Sequence, residues 1–175
     1  MAELEIFKYG SDILRVKAKY IEEITEEIKQ LAENMLSTMY SSDGVGLAAP
    51  QVGISKQIIV LDVDPYNPEA KPMALLNPKI IECEGEDDGE EGCLSVPDIR
   101  GIVRRYKNVV VEAMDLDGKK LRIEASDLMA RALQHEIDHL NGILFVDHLS
   151  RLKLRLIKKQ LNKIEEEAKA KQRAS

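Results

Sequence analysis

The chain is poor in cysteine and histidine, lacks tryptophan and has no long apolar run. Among its 175 residues only Cys83 and Cys93 are cysteines. Two cysteines are too few for a disulfide-stabilised fold, so an ordinary hydrophobic core must hold this chain together. No stretch approaches the roughly 20 apolar residues of a membrane-spanning helix, and we expect no membrane partner. The segment MAELEIFKYG lacks the basic start and apolar run of a secretory signal, which predicts a cytoplasmic location and reduced thiols.

The net charge of −6 is unevenly distributed along the sequence. Residues 151–175 contain nine Lys and Arg against three Glu, a balance of +6, so the preceding residues carry −12. An acidic body is not typical of nucleic-acid-binding proteins, and we expect no DNA partner. The basic tail allows two interpretations. It is either a solvated helix packed on the body through one apolar stripe, or an anchor for a polyanion such as RNA. The stripe consists of Leu154, Ile157, Leu161 and Ile164.

Periodicity predicts helices on both sides of a strand-rich middle. Apolar residues recur at spacings of three and four over residues 25–40, 126–141 and from 150 onward. Runs rich in β-branched residues predict strands at 57–63, 73–82 (broken at 77–78), 102–105, 108–115 and 119–125. We interpret the acidic run 82–91 as a solvated loop and residues 143–149 as extended. The order of elements predicts an α+β fold with mostly antiparallel sheets, a single catalytic domain at 1–150 and a basic helical tail at 151–175.

Residues 135–139 read His-Glu-Ile-Asp-His, the pattern HExxH, inside a predicted helix. At 3.6 residues per turn, His135 and His139 project from one face, where two imidazoles can bind one divalent metal ion. Glu136 then lies close enough to reach a metal-bound water without being a ligand. Apolar flanking residues predict that the helix is buried, and buried polar side chains need partners. The sequence therefore predicts a metal centre on a central helix.

A third ligand is expected, because catalytic metal sites usually combine three protein ligands with one open position. His148 and the glutamates at 165–167 lie downstream, where a zincin-type protease would supply a ligand. Cys93 is the better candidate, since Gly92 permits close approach of the chain and Pro97 stiffens its exit. A thiolate with two imidazoles suits Zn²⁺ or Fe²⁺. Spacing alone leaves His148 open, although a structural role is favoured for it and for Cys83.

Three separated motifs resemble those of the peptide deformylases. They are GVGLAAPQ at residues 44–51, EGCLS at 91–95 and QHEIDHL at 134–140, in the order of that family. The resemblance extends from about residue 6 to residue 150. It implies a metal-dependent hydrolase that removes the formyl group from the initiator methionine of nascent polypeptides and releases formate. It also implies that Cys93, His135 and His139 hold one divalent ion, Fe²⁺ in the cell, with Zn²⁺, Ni²⁺ or Co²⁺ possible in purified protein.

The resemblance assigns the chemistry to residues outside the ligand set. Glu136 is the general base that takes a proton as metal-bound water attacks the formyl carbon, and it then protonates the leaving amine. Gln51 and the backbone N–H of Leu94 stabilise the negative charge that develops on the formyl oxygen.

The resemblance also points to substrate-binding and supporting residues. Val45 and Gly46 are expected to border the methionine pocket, with Arg100 near its mouth. Glu91 is a candidate carboxylate that positions the cysteine loop, paired with Arg105. The basic C-terminal helix is suggested as a ribosome contact.

Two other functions stay open at this point. A zincin-type endopeptidase would use the same HExxH motif and would not need Cys93 to hold its metal. A non-catalytic, metal-containing module associated with the ribosome would leave Gln51 and Glu136 without a purpose.

Overall fold

The computed structural model describes residues 2–175, and within them the chain forms three α-helices and seven β-strands. The helices are α1 (Glu26–Ser41), α2 (Asp127–Leu140) and α3 (Arg151–Ala174). The strands are β1 (Gly46–Ala48), β2 (Ile58–Leu61), β3 (Met73–Glu84), β4 (Asp87–Cys93), β5 (Val96–Arg105), β6 (Asn108–Met114) and β7 (Lys120–Ser126). Single 3₁₀ turns occupy Asp12–Arg15, Ala49–Val52 and Phe145–His148. The predicted α+β class with antiparallel sheets is confirmed.

The helix ends follow local sequence chemistry with one exception. Thr25 precedes α1, and its hydroxyl oxygen accepts a hydrogen bond from the N–H of Ile28 at 3.3 Å, as expected of an N-cap residue. Ser126 occupies the same position before α2, but its hydroxyl donates to the Asn108 side chain instead (2.6 Å). Gly142 follows α2 at φ +74°, the left-handed conformation that ends a helix.

A five-stranded antiparallel sheet, in the order β1-β2-β3-β6-β7, separates two helices. Side chains alternate across a strand, so neighbouring residues of β2 face opposite sides. Ile59 and Leu61 belong to the core cluster around α2, whereas Ile58 and Val60 belong to the cluster around α1. Helix α2, which carries the HExxH motif, therefore packs on one face of this sheet, and β1 forms an edge of the sheet beside it.

A separate hairpin of β4 and β5 corrects the interpretation of residues 82–91 as a loop. Strand β3 continues to Glu84, and β4 then pairs with β5 in an antiparallel register that sets Asp88 opposite Arg104. These two side chains form an ion pair of 2.9 Å. Acidic residues can form a strand here because basic residues of the partner strand lie across from them. The hairpin matters because β4 ends at Cys93.

The predicted break at residues 77–78 is present as a shift of register, although β3 continues past it to Glu84. Asn77 adopts φ +51°, and its side-chain amide bonds both the N–H and the carbonyl oxygen of Ile21 at 2.8 Å. The side chain thus satisfies both backbone groups of Ile21, which lies outside the sheet.

Helix α3 packs on the hairpin through the apolar stripe that its sequence predicts. Ile157 and Leu161 are buried in a cluster that includes Val103 of β5 and Phe145. Phe145 begins a 3₁₀ turn, so the expectation that residues 143–149 are extended is wrong. Among the described residues, no helix is both long and apolar enough to cross a membrane.

Candidate metal centre

The three predicted ligands meet where α2 passes the end of β4. His135 and His139 lie one helical turn apart with ring centroids separated by 5.0 Å. The sulfur of Cys93 lies 3.4 Å from Nε2 of His139. One ligand atom from each of the three residues falls within 4.8 Å of the other two. In the part of the chain that the structure describes, no other group of His, Cys, Asp and Glu satisfies this criterion.

The donor set fits a divalent cation with an open coordination position. One thiolate and two imidazoles are three ligands of the kind that Zn²⁺ and Fe²⁺ accept. Burial, followed by the positive charge of His135, holds the pKa of His139 well below its ordinary value. Its imidazole is therefore neutral and has a lone pair for a cation. The Nδ1 atom of His139 is buried without a hydrogen-bond partner.

The other ligand candidates lie apart from this centre. Nε2 of His148 is 2.9 Å from the Asp138 carboxylate in a half-exposed pair. The glutamates at 165–167 lie on α3, where Glu165 pairs with Lys169. Cys83 is exposed on β3.

Glu91 orients one of the predicted ligands. Its Oε1 accepts a hydrogen bond from Nδ1 of His135 at 2.8 Å, so Nε2 is the atom of that ring that would bind a cation once it has given up its proton. The Arg105 guanidinium donates to both carboxylate oxygens, at 2.8 and 2.9 Å. Burial alone would raise the pKa of Glu91, but Arg105 and His135 hold it well below its usual range. The structure thus pairs Glu91 with Arg105 as the sequence suggests, and it adds the contact with His135.

Glu136 lies in a buried position beside the predicted ligands. Its side chain is fully buried, and Oε1 has no hydrogen-bond partner. Burial raises the pKa of this carboxyl to about 7, so the group can both accept and release a proton near neutrality. A Cβ atom on Gly46 would stand 2.5 Å from Oε2 of Glu136. The glycine therefore makes room for this carboxylate, a function that sequence reasoning did not assign to it.

The Gln51 side chain is fixed beside the cysteine sulfur. It lies in the 3₁₀ turn Ala49–Val52 and is only 2% exposed. Its oxygen accepts from the N–H of Ala48 (2.9 Å), and its amide nitrogen donates to the hydroxyl of Ser95 (3.1 Å) and the sulfur of Cys93 (3.4 Å). A neutral donor is thereby directed at the metal-binding group.

A cavity of about 670 Å³ opens onto the centre. The predicted residues Gln51, Val45, Gly46, Leu94 and Arg100 all line it, together with Cys93, His135 and Glu136. At the rim, Arg100 forms an exposed ion pair with Glu90 at 2.7 Å.

Sequence reasoning did not assign to the site three residues of α2 that line the cavity, Leu128, Arg131 and Ala132. Leu128 is an apolar residue of the helix that borders the cavity and is 54% exposed. Arg131 was not singled out at all, yet it is buried against Glu91 (2.8 Å). Its position four residues before His135, on the same helical face, was the available signal.

Comparison with known proteins agrees with this geometry. Residues 3–155 match the family model of polypeptide deformylases. The peptide deformylase of Thermodesulfovibrio yellowstonii is 48% identical over 160 residues, which cover 91% of this chain and 97% of the relative. The peptide deformylase structure from Legionella pneumophila superposes with a TM-score of 0.88 at 41% identity, covering 94% of this chain and 96% of that one.

A further structure, of the Synechococcus elongatus peptide deformylase in complex with actinonin, matches with a TM-score of 0.87 at 44% identity, covering 91% of this chain and 89% of that chain. The family match spans both the hairpin and the HExxH helix. The chain therefore belongs to the polypeptide deformylase family, the metal-dependent hydrolases that remove the formyl group from an N-terminal methionine.

Proposed function

We propose that this protein deformylates the N-terminal methionine of nascent polypeptides in the cytoplasm and releases formate, with the roles of its residues as follows. The observation that carries the proposal is the Cys93, His135 and His139 cluster beside the fully buried Glu136. A divalent ion bound there supplies Lewis-acid chemistry and lowers the pKa of a coordinated water.

Glu136 moves the proton. Its carboxylate takes a proton from the attacking water and returns it to the amine nitrogen that leaves when the formyl C–N bond breaks. A pKa of about 7 suits both transfers, since neither the acid nor the base form is strongly preferred at neutral pH.

Gln51 and the backbone N–H of Leu94 bind the oxygen on which negative charge develops. The hydrogen bonds of Gln51 to Ala48 and Ser95 hold its amide in place before substrate arrives. Fixed donors of this kind need no reorganisation during the reaction.

The peptide binds in extended form along the edge of β1. Strand β1 pairs with β2 on one side only, and its first residue, Gly46, lines the cavity. Main-chain pairing with such an edge recognises a peptide without reading its whole sequence. Val45 borders the methionine side chain, and Arg100 with its partner Glu90 contacts the residues that follow.

Fe²⁺ is the ion we assign to the cell, with Zn²⁺, Ni²⁺ or Co²⁺ as replacements. The thiolate and imidazole donors accept all four, so affinity does not choose among them. Elemental analysis of protein purified without oxygen tests the assignment, and a preparation that carries Zn²⁺ alone contradicts it.

Formate release from a formyl-Met peptide tests the activity. Under anaerobic conditions the metal-loaded protein should release formate, and Glu136→Ala should abolish turnover while retaining metal. Glu166→Ala, at an exposed position on α3, serves as the control and should behave like the parent. We expect actinonin to stop the reaction. Absence of formate from the metal-loaded parent would refute the proposal.

Two further variants separate the alternatives. An endopeptidase of the zincin type should keep its metal in Cys93→Ala, whereas our proposal expects that variant to lose it. A non-catalytic module should be indifferent to Glu136→Gln.

We further propose that the outward face of α3 contacts the ribosome. Leu152, Leu156, Lys159 and Lys163 lie on one side of the helix, opposite the buried Ile157 and Leu161, and all four are exposed. Reversing charge with Lys159→Glu and Lys163→Glu should weaken co-sedimentation with ribosomes and leave turnover of a free peptide unchanged. Co-sedimentation equal to that of the parent, at low and moderate salt, would remove this proposal.

A further inference from the structure

Arg131 is a buried cation that the proposed mechanism does not use. Arg131 is 8% exposed. It lies on α2, one turn before the predicted ligand His135. Nη1 donates to Glu91 Oε2 and to the Val103 carbonyl oxygen, both at 2.8 Å. Nη2 donates to the carbonyl oxygen of Asp87 at 2.8 Å and to its carboxylate at 3.3 Å. One guanidinium therefore connects α2 to both strands of the β4–β5 hairpin.

These contacts complete the environment of Glu91. Oε1 accepts from His135 and Arg105, and Oε2 accepts from Arg105 and Arg131. Four donors use the full acceptor capacity of a carboxylate. With every position taken, the carboxylate has no freedom to rotate away from the imidazole that it orients.

Gly89 supplies a second, independent observation. A Cβ atom at this position in β4 would lie 2.9–3.0 Å from three atoms of the Arg131 guanidinium. The planar group thus lies directly against the bare backbone of the strand. A side chain at residue 89 would push it out of place.

We infer that Arg131 is a positioning residue for the metal centre, acting through Glu91 on the orientation of His135. The ligands come from two elements, Cys93 from β4 and the histidines from α2, and Arg131 sets the hairpin against the helix. The inference rests on the proposed metal-dependent function. The role requires the planar, forked guanidinium of arginine, because all the donors of lysine sit on one nitrogen atom.

Zn²⁺ affinity, measured by chelator competition, tests the inference without using catalysis. Arg131→Met and Gly89→Ala should each raise the dissociation constant for Zn²⁺ about 10- to 100-fold, the usual effect of losing a group that orients a ligand. Arg131→Lys should recover only part of the affinity. Arg104→Met is the matched control, since it removes an exposed guanidinium from the same hairpin, and it should stay within about threefold of the parent.

Ring ¹⁵N–¹H spectra of the Zn²⁺-loaded protein separate orientation from general stability. The Nδ1–H proton of His135 should exchange with water faster in Arg131→Met than in the parent, at a temperature well below the melting of both apoproteins. If Arg131→Met does not fold, Gly89→Ala and Arg131→Lys provide the same comparison.

Two results would overturn the inference. One is parental Zn²⁺ affinity in both Arg131→Lys and Gly89→Ala, and the other is an equal loss in Arg104→Met. A parent protein that binds Zn²⁺ and responds to these variants but releases no formate would refute the proposed function alone.

Discussion

Glu136 is a buried acid, and its burial has a cost in stability that depends on pH. The carboxyl has an ordinary pKa of about 4.5 and a pKa of about 7 in the folded protein. The unfolded chain therefore releases this proton more readily than the folded chain does. Stability linked to the group is complete below about pH 4.5 and falls as pH rises through about 7.

Replacing this acid by an amide should stabilise the metal-free protein at alkaline pH. We expect Glu136→Gln to gain up to about 3 kcal/mol in unfolding free energy at pH 8 relative to the parent, and little at pH 4.5. Urea denaturation of both metal-free proteins at the two pH values measures the difference. A gain that does not depend on pH would show that the carboxyl is not titrating as its burial requires.

Gln51 provides a residue-scale test of charge stabilisation. Gln51→Leu keeps the size of the side chain but removes the amide, and we expect kcat to fall by about 10²- to 10³-fold, as for the loss of one fixed donor. Metal content should remain at the parental level. Gln160→Leu, exposed on α3, is the control. An unchanged kcat in Gln51→Leu would assign the donor role elsewhere.

At the scale of the element, α3 has a buried and an exposed face, and two residues adjacent in sequence lie on different ones. Ile157 is buried in the cluster with Phe145, whereas Leu156 is 72% exposed. Ile157→Ala should lower the unfolding free energy by about 2–4 kcal/mol, and Leu156→Ala by less than about 0.5 kcal/mol. Denaturant unfolding of the two variants measures this. Equal effects would mean that α3 does not pack on the body in this register.

The elements with clear periodicity could be predicted from sequence, and those held by tertiary pairing could not. Helices α1, α2 and α3 begin and end within about two residues of their predicted limits. Strand β4 was missed because its acidic residues and two glycines are typical of a loop. Arginines across from it on β5, and Arg131 on α2, pair with these acidic residues, and a local pattern does not contain them.

The candidate site likewise has parts that could be predicted from the sequence and parts that could not. The approach of His135 and His139 follows from helical geometry. The role of Cys93 as a third ligand is predicted from its motif. The hydrogen bond from His135 to Glu91 joins residues 44 apart in sequence, and Arg131 reaches the same carboxylate from a third direction. Such contacts depend on how a hairpin docks against a helix, which no short-range pattern encodes.

At the scale of the whole molecule, a cation at this centre joins the hairpin to α2, so metal and fold should stabilise each other. At a free Zn²⁺ concentration 100 times the dissociation constant, the unfolding free energy should rise by about 2.7 kcal/mol. Thermal unfolding with and without Zn²⁺ measures the gain. Cys93→Ala should lose most of it, while Cys83→Ala, at an exposed position outside the centre, should retain it.

The N-terminal segment is held between the site and the last helix. Phe7 and Tyr9 donate backbone hydrogen bonds to the carbonyl oxygens of Gln51 (2.7 Å) and Ser95 (2.8 Å). Asp12 exchanges two hydrogen bonds with Gln172, a residue 160 positions later.

During synthesis, then, Asp12 can contact Gln172 only after the 160 residues that follow Asp12, including most of α3, have left the ribosome. Contacts of such sequence separation form late because a long loop must close first. Until α3 emerges, the N-terminal segment, which donates hydrogen bonds to Gln51 and Ser95, lacks its contact with that helix.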